Sequence, residues 1–151
     1  MMTELRTILL AEDNANDIEL TLAALRHNRL LNDVVVVRDG AEALDYLYRR
    51  GAYAGRNGGT PVVLLLDLKM PKVDGLEVAR QVKTDPALRT IPIVVLTSSR
   101  EEQDLVRSYD LGVNAYVVKP VEFHDFVDAI KVIGGFWAVI NEPPPAGAAR
   151  V

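Results

Sequence analysis

Residues 62–71 read Val-Val-Leu-Leu-Leu-Asp-Leu-Lys-Met-Pro, an apolar run that ends abruptly in the carboxylate of Asp67. A run of this kind is typical of a strand that is buried on both faces. Such a strand would bring Asp67 to the carboxyl edge of a sheet. An aspartate there can cap a helix or a turn, or it can line a ligand crevice. The other strands of the chain have to decide between these two interpretations.

Four further apolar segments have the length of strands, and a helical pattern follows every strand. This alternation predicts a three-layer α/β fold with a parallel sheet. Because crossovers between parallel strands are right-handed, it favours a doubly wound, five-stranded sheet in the flavodoxin-like order 2-1-3-4-5, with helices on both faces. The predicted strands are residues 7–11, 33–38, 62–67, 93–96 and 115–118. The predicted helices are residues 17–29, 41–48, 75–84, 101–111 and 122–140.

Two connections carry further expectations. Asn16 or Asp17 is the expected cap of the first helix. Residues 51–61 form a glycine-rich loop that is longer than a usual helix-to-strand connection. This loop contains no phosphate-binding glycine pattern, so it is predicted to be a flexible surface insertion.

In the predicted strand order, the carboxyl ends of strands 1, 3, 4 and 5 converge on one crevice. The residues at those ends are Glu12, Asp13, Asp67, Thr97 and Lys119. Three acids at close range repel one another without a cation, and a set of oxygen ligands suits Mg²⁺. Lys119 is suited to gripping a phosphate, which makes Asp67 the candidate nucleophile for forming an aspartyl-phosphate. Asp13 would then be the main second metal ligand, with Glu12 acting through a metal-bound water.

Each of these residues also has an ordinary structural interpretation. Glu12 and Asp13 could complement the dipole of the first helix, Thr97 could begin a turn, and Lys119 could be a surface charge. These interpretations are reasonable one at a time. Together they would require four strand ends to match the same chemistry by accident, so the joint site is favoured.

Composition sets the limits of the function. The chain has 151 residues, a formal net charge of -4 and no cysteine, which argues against nucleic-acid partners, disulfides and thiolate metal sites. Neither a signal peptide nor a run of membrane-spanning length is evident, so a cytoplasmic protein without a membrane partner is expected. Residues 1–141 are predicted to form a single domain with an extended last helix, and residues 142–151 a disordered tail rich in proline and alanine.

Residues 7–140 resemble the receiver domain of two-component response regulators. The matching motifs are Glu12-Asp13, Asp67, Met70-Pro71, Asp74-Gly75, Thr97 and Lys119-Pro120. The resemblance implies that Asp67 accepts a phosphoryl group from a histidine kinase. It also implies Mg²⁺ held by Asp13, Asp67 and the main-chain carbonyl of Lys69. A protein of this type is a regulator and not an enzyme, since it catalyses only its own phosphoryl transfer and autodephosphorylation.

The resemblance also implies a conformational switch. Lys119 would contact the phosphoryl group, and the hydroxyl of Thr97 would turn toward it. Tyr116 stands at the family's switch-aromatic position, three residues before the lysine, and would rotate into the space that Thr97 leaves. This change would reshape the surface of helix 4, strand 5 and helix 5. The family's lysine–proline bond is usually cis, which is also expected of Lys119-Pro120.

Several segments are similar to the stand-alone receivers that serve bacterial phytochrome kinases. They are residues 45–51, the glycine-rich insertion, residues 97–100 and Phe136-Trp137. The resemblance implies a response regulator in light signalling whose partner is a phytochrome-type histidine kinase. Large apolar residues beyond the domain core need cover. Phe136 and Trp137 are therefore predicted to lie at a dimer or partner face, and the chain is predicted to be a homodimer.

Other functions remain open at this point. A flavin-type binding module on the same fold is disfavoured, because three acids would repel its phosphate. A hydrolase with an aspartyl nucleophile would commonly carry a second aspartate at the position of Lys69. A phosphorelay intermediate and a phosphate-independent docking protein of receiver fold are the remaining alternatives.

Overall fold

The computed structural model describes residues 7–27, 32–57, 59–113 and 115–132. The extended part of the last helix, Phe136, Trp137 and the tail at residues 142–151 lie outside these described residues. The helices and strands are β1 (Ile8–Ala11), α1 (Ala15–His27), β2 (Val34–Val37), α2 (Gly40–Tyr48), β3 (Val63–Asp67), α3 (Gly75–Thr84), β4 (Ile93–Thr97), α4 (Arg100–Ser108), β5 (Ala115–Val118) and α5 (Phe123–Val132).

The sheet is parallel throughout, and its strand order is β2-β1-β3-β4-β5. This confirms the order predicted from the sequence. β3 is central and all five of its residues are buried, as its apolar run requires. Alternate residues of β3 feed two hydrophobic clusters, because successive side chains in a strand point to opposite faces. Leu64 and Leu66 pack with residues of α2, α3 and α4, while Val63 and Leu65 pack with residues of α1 and α5.

Strand register aligns the functional edge of the sheet. Asp67 pairs with Leu96, one residue before Thr97, and Thr97 pairs with Val118, one residue before Lys119. The Lys119 amide N–H also donates to the Thr97 carbonyl at 2.8 Å. The ends of β3, β4 and β5 are thus staggered by no more than a residue, so residues that follow them share one edge.

The cap of α1 differs from the expected one. The helix begins at Ala15, and the side-chain oxygen of Asn14 accepts a hydrogen bond from the Asp17 amide at 2.9 Å. Asn14 is therefore the N-cap, because it satisfies an amide that has no partner within the helix. The prediction of Asn16 or Asp17 was wrong, and Asp17 lies inside the first turn.

The end of α4 also differs from the expectation. The helix ends at Ser108 and does not reach residue 111. The Asp110 amide bonds to the Arg107 carbonyl at 3.1 Å, an i to i+3 contact that tightens the last turn. Asp110 and Gly112 then adopt positive φ angles of 51° and 77°. The left-handed backbone at Asp110 ends the helix before Gly112 is reached.

The glycine-rich insertion is more ordered than predicted. It contains a short 3₁₀ helix, Gly51–Tyr53. The Arg56 Nε donates to the carbonyl of Tyr46 at 2.7 Å, and the Tyr53 hydroxyl donates to Glu42 at 2.6 Å. These contacts tie the insertion to α2, which the prediction of a flexible loop did not foresee.

Candidate functional site

Three carboxylates meet where β1 and β3 end. Glu12 follows β1 and is fully buried, Asp67 ends β3 and is 3% exposed, and Asp13 is exposed. One carboxylate oxygen from each lies within 4.8 Å of the others. We refer to Glu12, Asp13, Asp67, Thr97 and Lys119 as the carboxylate crevice. Every side chain that the sequence placed at this edge is therefore found close to it, on four different strand ends.

Lys119 supplies the positive charge of the crevice. Its Nζ donates to Glu12 at 3.2 Å, to Asp67 at 3.2 Å and to Asp17 at 3.0 Å. The first two contacts join side chains at the carboxyl ends of β1, β3 and β5, which the predicted strand order brings to one edge of the sheet. The contact with Asp17 was missed, because Asp17 was interpreted only as a helix cap.

The electrostatics of the crevice shift the pKa values of Glu12 and Lys119. Burial and the nearby charge of Asp67 raise the pKa of Glu12 from 4.5 to about 7, although Lys119 opposes the rise. Burial by itself would lower the pKa of Lys119. The hydrogen bond to Asp17 and the charges of Asp67 and Glu12 outweigh that effect and raise the pKa of Lys119 above its usual value. Lys119 thus stays charged, while Glu12 gains and loses its proton near neutral pH.

Thr97 ends β4 and carries a buried hydroxyl. The residue is fully buried, and its Oγ1 has no hydrogen-bond partner within the described part of the chain. A buried hydroxyl without a partner costs free energy, so such groups are uncommon in native proteins. The position next to the crevice makes this hydroxyl available to a ligand there.

Tyr116 lies on β5 and is half-buried. Its hydroxyl donates to the carbonyl of Val113 at 2.8 Å, and the guanidinium carbon of Arg107 lies 4.9 Å from the centre of its ring. Burial raises the pKa of the Tyr116 hydroxyl, although Arg107 opposes the rise. The ring lines a cavity of about 380 Å³ between α4, β5 and α5. Tyr116 is thus anchored at the surface that the switch would change.

The connection after β3 is shaped by a close backbone approach. The Gly75 amide donates to the carbonyl of Leu68 at 2.9 Å, and a Cβ at Gly75 would come within 2.3 Å of the Asp67 carbonyl oxygen. Only glycine fits there without moving backbone, which explains the Asp74-Gly75 pair. Asp74 caps α3 by accepting from the amide of Glu77 at 2.9 Å.

Lys69 stands in the same connection, two residues after Asp67. Its side chain is largely exposed and its ammonium pairs with Glu102 of α4 at 3.5 Å. The peptide bond between Lys119 and Pro120 is cis, as the resemblance implies.

The donor set fits a hard divalent cation. All three clustered acids offer carboxylate oxygens, and the pKa of Glu12 is raised first by burial and then by the charge of Asp67. Oxygen ligands without histidine or cysteine suit Mg²⁺ or Mn²⁺. A second group of possible ligands, Glu122, His124 and Asp125, lies at the surface at the start of α5 and shares no residue with the crevice.

Comparisons with known proteins agree with this geometry. The bacteriophytochrome response regulator AtBRR is 66% identical, with a TM-score of 0.89, and the match covers 93% of this chain and 100% of that one. The bacteriophytochrome response regulator RtBRR is 63% identical, with a TM-score of 0.86 and coverage of 94% and 86%. Both sequence identities are high enough for the resemblance to extend beyond the fold.

A curated relative points the same way. Response regulator Rcp1 of Synechocystis sp. is 38% identical over 132 residues, which cover 87% of this chain and 88% of Rcp1. A crystal structure of the Mn²⁺-bound form of Rcp1 is 35% identical to this chain, with a TM-score of 0.69 and coverage of 93% and 99%. Within the described residues, no helix is long and apolar enough to cross a membrane.

The family model for the response regulator receiver domain matches residues 8–131. This range includes all five strands and every residue of the carboxylate crevice. With that match, and with relatives that share more than a third of its residues over most of their length, the chain belongs to the response regulator receiver domain family and is related to the phytochrome response regulators.

Proposed function

We propose that this protein is a phosphorylation-dependent response regulator that takes a phosphoryl group from a histidine kinase onto Asp67. The observation that carries the proposal is the meeting of Asp67 with Lys119 at 3.2 Å, beside two further acids and a hydroxyl that has no partner among the described residues. A carboxylate that is buried, central and next to a fixed cation has the surroundings that a phosphoryl acceptor needs.

The chemistry assigns one role to each residue. A carboxylate oxygen of Asp67 attacks the phosphorus atom of a phosphohistidine. A new O–P bond forms, the N–P bond breaks, and the leaving imidazole nitrogen takes a proton from solvent. Lys119 donates to the phosphoryl oxygens and stabilises their charge. Its ammonium already lies within hydrogen-bond distance of Asp67, so little reorganisation is needed.

Mg²⁺ is the proposed cofactor. When bound, it supplies charge neutralisation to the phosphoryl oxygens. Asp13, Asp67 and the main-chain carbonyl of Lys69 would hold it, with Glu12 acting through a water. The clustering of the three carboxylates supports this set, and the Mn²⁺-bound form of Rcp1 supports a divalent ion in a related protein.

Thr97 and Tyr116 are the proposed switch. The phosphoryl group adds about 1.5 to 2 negative charges and new acceptor oxygens at the crevice. The Thr97 hydroxyl, which has no partner in the described residues, would gain one by donating to these oxygens. Tyr116 would then leave its contacts with Val113 and Arg107 and move toward the space that Thr97 gives up. The surface of α4, β5 and α5 would change as a result.

A phytochrome-type histidine kinase is the proposed partner, and the cytoplasm, where such kinases find ATP, is the proposed location. The similarity to two bacteriophytochrome response regulators supports this choice of partner. Phosphotransfer rates against a panel of histidine kinases test it. A phytochrome kinase should be preferred, and equal rates for unrelated kinases would remove the light-signalling part of the proposal.

We also propose that residues 1–141 form one receiver domain. Two copies of the chain would form a homodimer through the face of α4, β5 and α5. Val118 and Val132 are 45% and 65% exposed on this face and line its cavity. Phe136 and Trp137, the predicted contact residues, lie outside the described residues. Light scattering with and without a phosphate mimic measures the mass, and a monomer in both conditions would contradict the dimer.

The decisive experiment is phosphorylation of the full chain with Mg²⁺ and a small acyl phosphate, followed by intact mass and site mapping. The wild type should gain one phosphoryl group, and Asp67→Asn should lose all labelling because the nucleophile is absent. Asp104→Asn removes an exposed acid of α4 and should label normally. Labelling elsewhere than Asp67, or none in the wild type, would leave the phosphate-independent docking protein as the better function.

A further inference from the structure

Asp17 holds a place in the crevice that the family motifs do not assign. The Lys119 ammonium has three N–H donors, and each is within hydrogen-bond distance of a different carboxylate. The contact with Asp17, at 3.0 Å, is shorter than those with Glu12 and Asp67, both at 3.2 Å. The three acids whose oxygens cluster within 4.8 Å do not include Asp17. Among the described residues, the contact that joins Asp17 to the crevice is the one with Lys119.

The first turn of α1 fixes the position of Asp17. Its amide is held by the side chain of Asn14 at 2.9 Å, and the helix that follows runs to His27. Its carboxylate is partly exposed, with 29% of the side chain accessible, whereas that of Glu12 is fully buried. Asp17 thus presents a hydrated anion from a rigid helix, while Glu12 and Asp67 present theirs from the sheet edge.

A divalent cation in the crevice would compete with Lys119. The cation would share Asp67 with the ammonium directly and Glu12 through a water, whereas Asp17 contacts the ammonium and lies outside the cluster of acids. Suppose that the cation binds the acids that Lys119 also contacts. Without Asp17, the Lys119 ammonium would then either compete with the cation for these acids or be left without an anionic partner. With Asp17 present, the ammonium keeps one anionic partner that the cation does not use.

We propose that Asp17 is a positioning residue that retains the Lys119 ammonium beside Asp67 while a divalent cation occupies the acids of the crevice. This inference rests on the proposed use of a divalent cation and of Lys119 in phosphoryl transfer. Asp17 acts in two ways. It keeps the ammonium within reach of the phosphoryl oxygens, and its negative charge favours the cation.

A purely structural role for Asp17 would be to complement the dipole of α1, whose first turn it occupies. That role predicts a lower stability of the helix when the charge is removed. It predicts no change in the proton exchange of the Lys119 ammonium. Measurements on the ammonium and on cation affinity therefore separate the two roles.

The first measurement uses the full chain without metal and follows the lysine ammonium signals by ¹⁵N NMR. Lys119→Arg identifies the signal of Lys119 by its disappearance. In the wild type, three hydrogen bonds should slow the proton exchange of this ammonium, and Asp17→Asn should speed it. Glu19→Gln, which removes an exposed acid from the same helix, should leave the signal unchanged, and Asp17→Glu should restore part of the protection.

The second measurement is titration of the same variants with Mg²⁺ by calorimetry. The carboxylates of Asp17 and Asp67 both contact one ammonium, so Asp17→Asn should weaken Mg²⁺ binding roughly three- to tenfold, and Glu19→Gln less than about twofold. Unchanged ammonium exchange together with equal affinities for the two variants would overturn the role of Asp17. Absence of Mg²⁺ binding by the wild type would instead overturn the proposed function on which it rests.

Discussion

The carboxylate crevice and the insertion after α2 both bring charged and polar side chains together. They differ in whether each side chain finds a partner of matching charge or hydrogen-bonding type. Tyr53 and Arg56 of the insertion, together with Glu42 and Tyr46 of α2, form what we call the insertion cluster. The Tyr53 hydroxyl donates to Glu42 at 2.6 Å, and the Arg56 guanidinium lies 4.0 Å from the ring centre of Tyr46. The two tyrosine rings meet edge to face at 5.1 Å. Each contact here joins an acid, a base or a ring to a matching group.

The crevice is not matched in this way. A single ammonium faces Glu12, Asp17 and Asp67, and Thr97 Oγ1 has no partner in the part of the chain that the structure describes. Contacts of Lys119 join residues separated by 52 to 107 positions, whereas the contacts of the insertion cluster join residues separated by about ten. Matched, local contacts stabilise the fold. A mismatched set assembled from distant strands retains its capacity to bind a ligand, at a cost in stability.

Replacement of Lys119 should change the free energy of unfolding more than any other substitution in the crevice or the insertion cluster that we consider. Lys119→Met leaves Glu12 and Asp67 without their cation in a buried site, so the free energy of unfolding should fall by about 3 kcal/mol at pH 8. Addition of Mg²⁺ should recover much of the loss, because the ion neutralises the same acids. Urea unfolding with and without Mg²⁺ measures both effects.

Lys72→Met is the matched control for that variant. Lys72 is largely exposed and pairs with Asp39 at 3.4 Å. Loss of an exposed pair should change the free energy of unfolding by less than about 1 kcal/mol, with no dependence on Mg²⁺. If the two variants lost equal stability, the crevice would be no more strained than the surface.

Replacing Glu12 with a neutral residue should raise the free energy of unfolding, by less than the loss of Lys119 lowers it. The folded-state pKa of Glu12, about 7, lies above the ordinary value of 4.5, so the folded state binds more protons between these pH values. Wild-type stability should therefore fall as the pH rises from 4.5 to 7. Glu12→Gln should remove this slope and stabilise the protein at pH 8 by about 2 kcal/mol, with almost no gain at pH 4.5.

Unfolding by urea across this pH range tests the sign directly. Glu12→Gln should also slow phosphorylation, because the crevice loses an acid that supports the cation. A variant that is more stable and less active would show that the strain at Glu12 serves the site. A wild type whose stability rises between pH 5 and 7, with no gain for Glu12→Gln at pH 8, would contradict this account.

The sequence predicted the crevice because its members stand at the ends of apolar runs. Strand order follows from the alternation of elements, and parallel strands bring their carboxyl ends to one edge, so Asp67 and Lys119 could be expected to meet. The contact of Asp17 with Lys119 could not be predicted in the same way. It depends on the rotation of α1, and each residue by which the helix start is misplaced turns the helix by about 100°.

The insertion cluster shows a second limit. Its order depends on Arg56 reaching the carbonyl of Tyr46 and on Tyr53 reaching Glu42, contacts between single side chains that follow no periodic pattern. A stretch rich in glycine indicates only that the backbone can adopt many conformations. The sequence therefore predicted a flexible loop where side chains fix the backbone.

Loss of one hydroxyl from the insertion cluster should give the smallest effect. Tyr53→Phe keeps the ring that packs against Tyr46 but removes the hydrogen bond to Glu42, so the free energy of unfolding should fall by about 1 kcal/mol. Burial and Glu42 raise the pKa of Tyr53 to about 12, so its hydroxyl stays protonated and the loss should be the same at pH 6 and pH 9. Mg²⁺ affinity and phosphorylation of Asp67 should not change. Urea unfolding at both pH values, with the phosphorylation assay on the same samples, measures this. Slower phosphorylation at unchanged stability would mean that the insertion cluster communicates with the crevice and does not serve the fold alone.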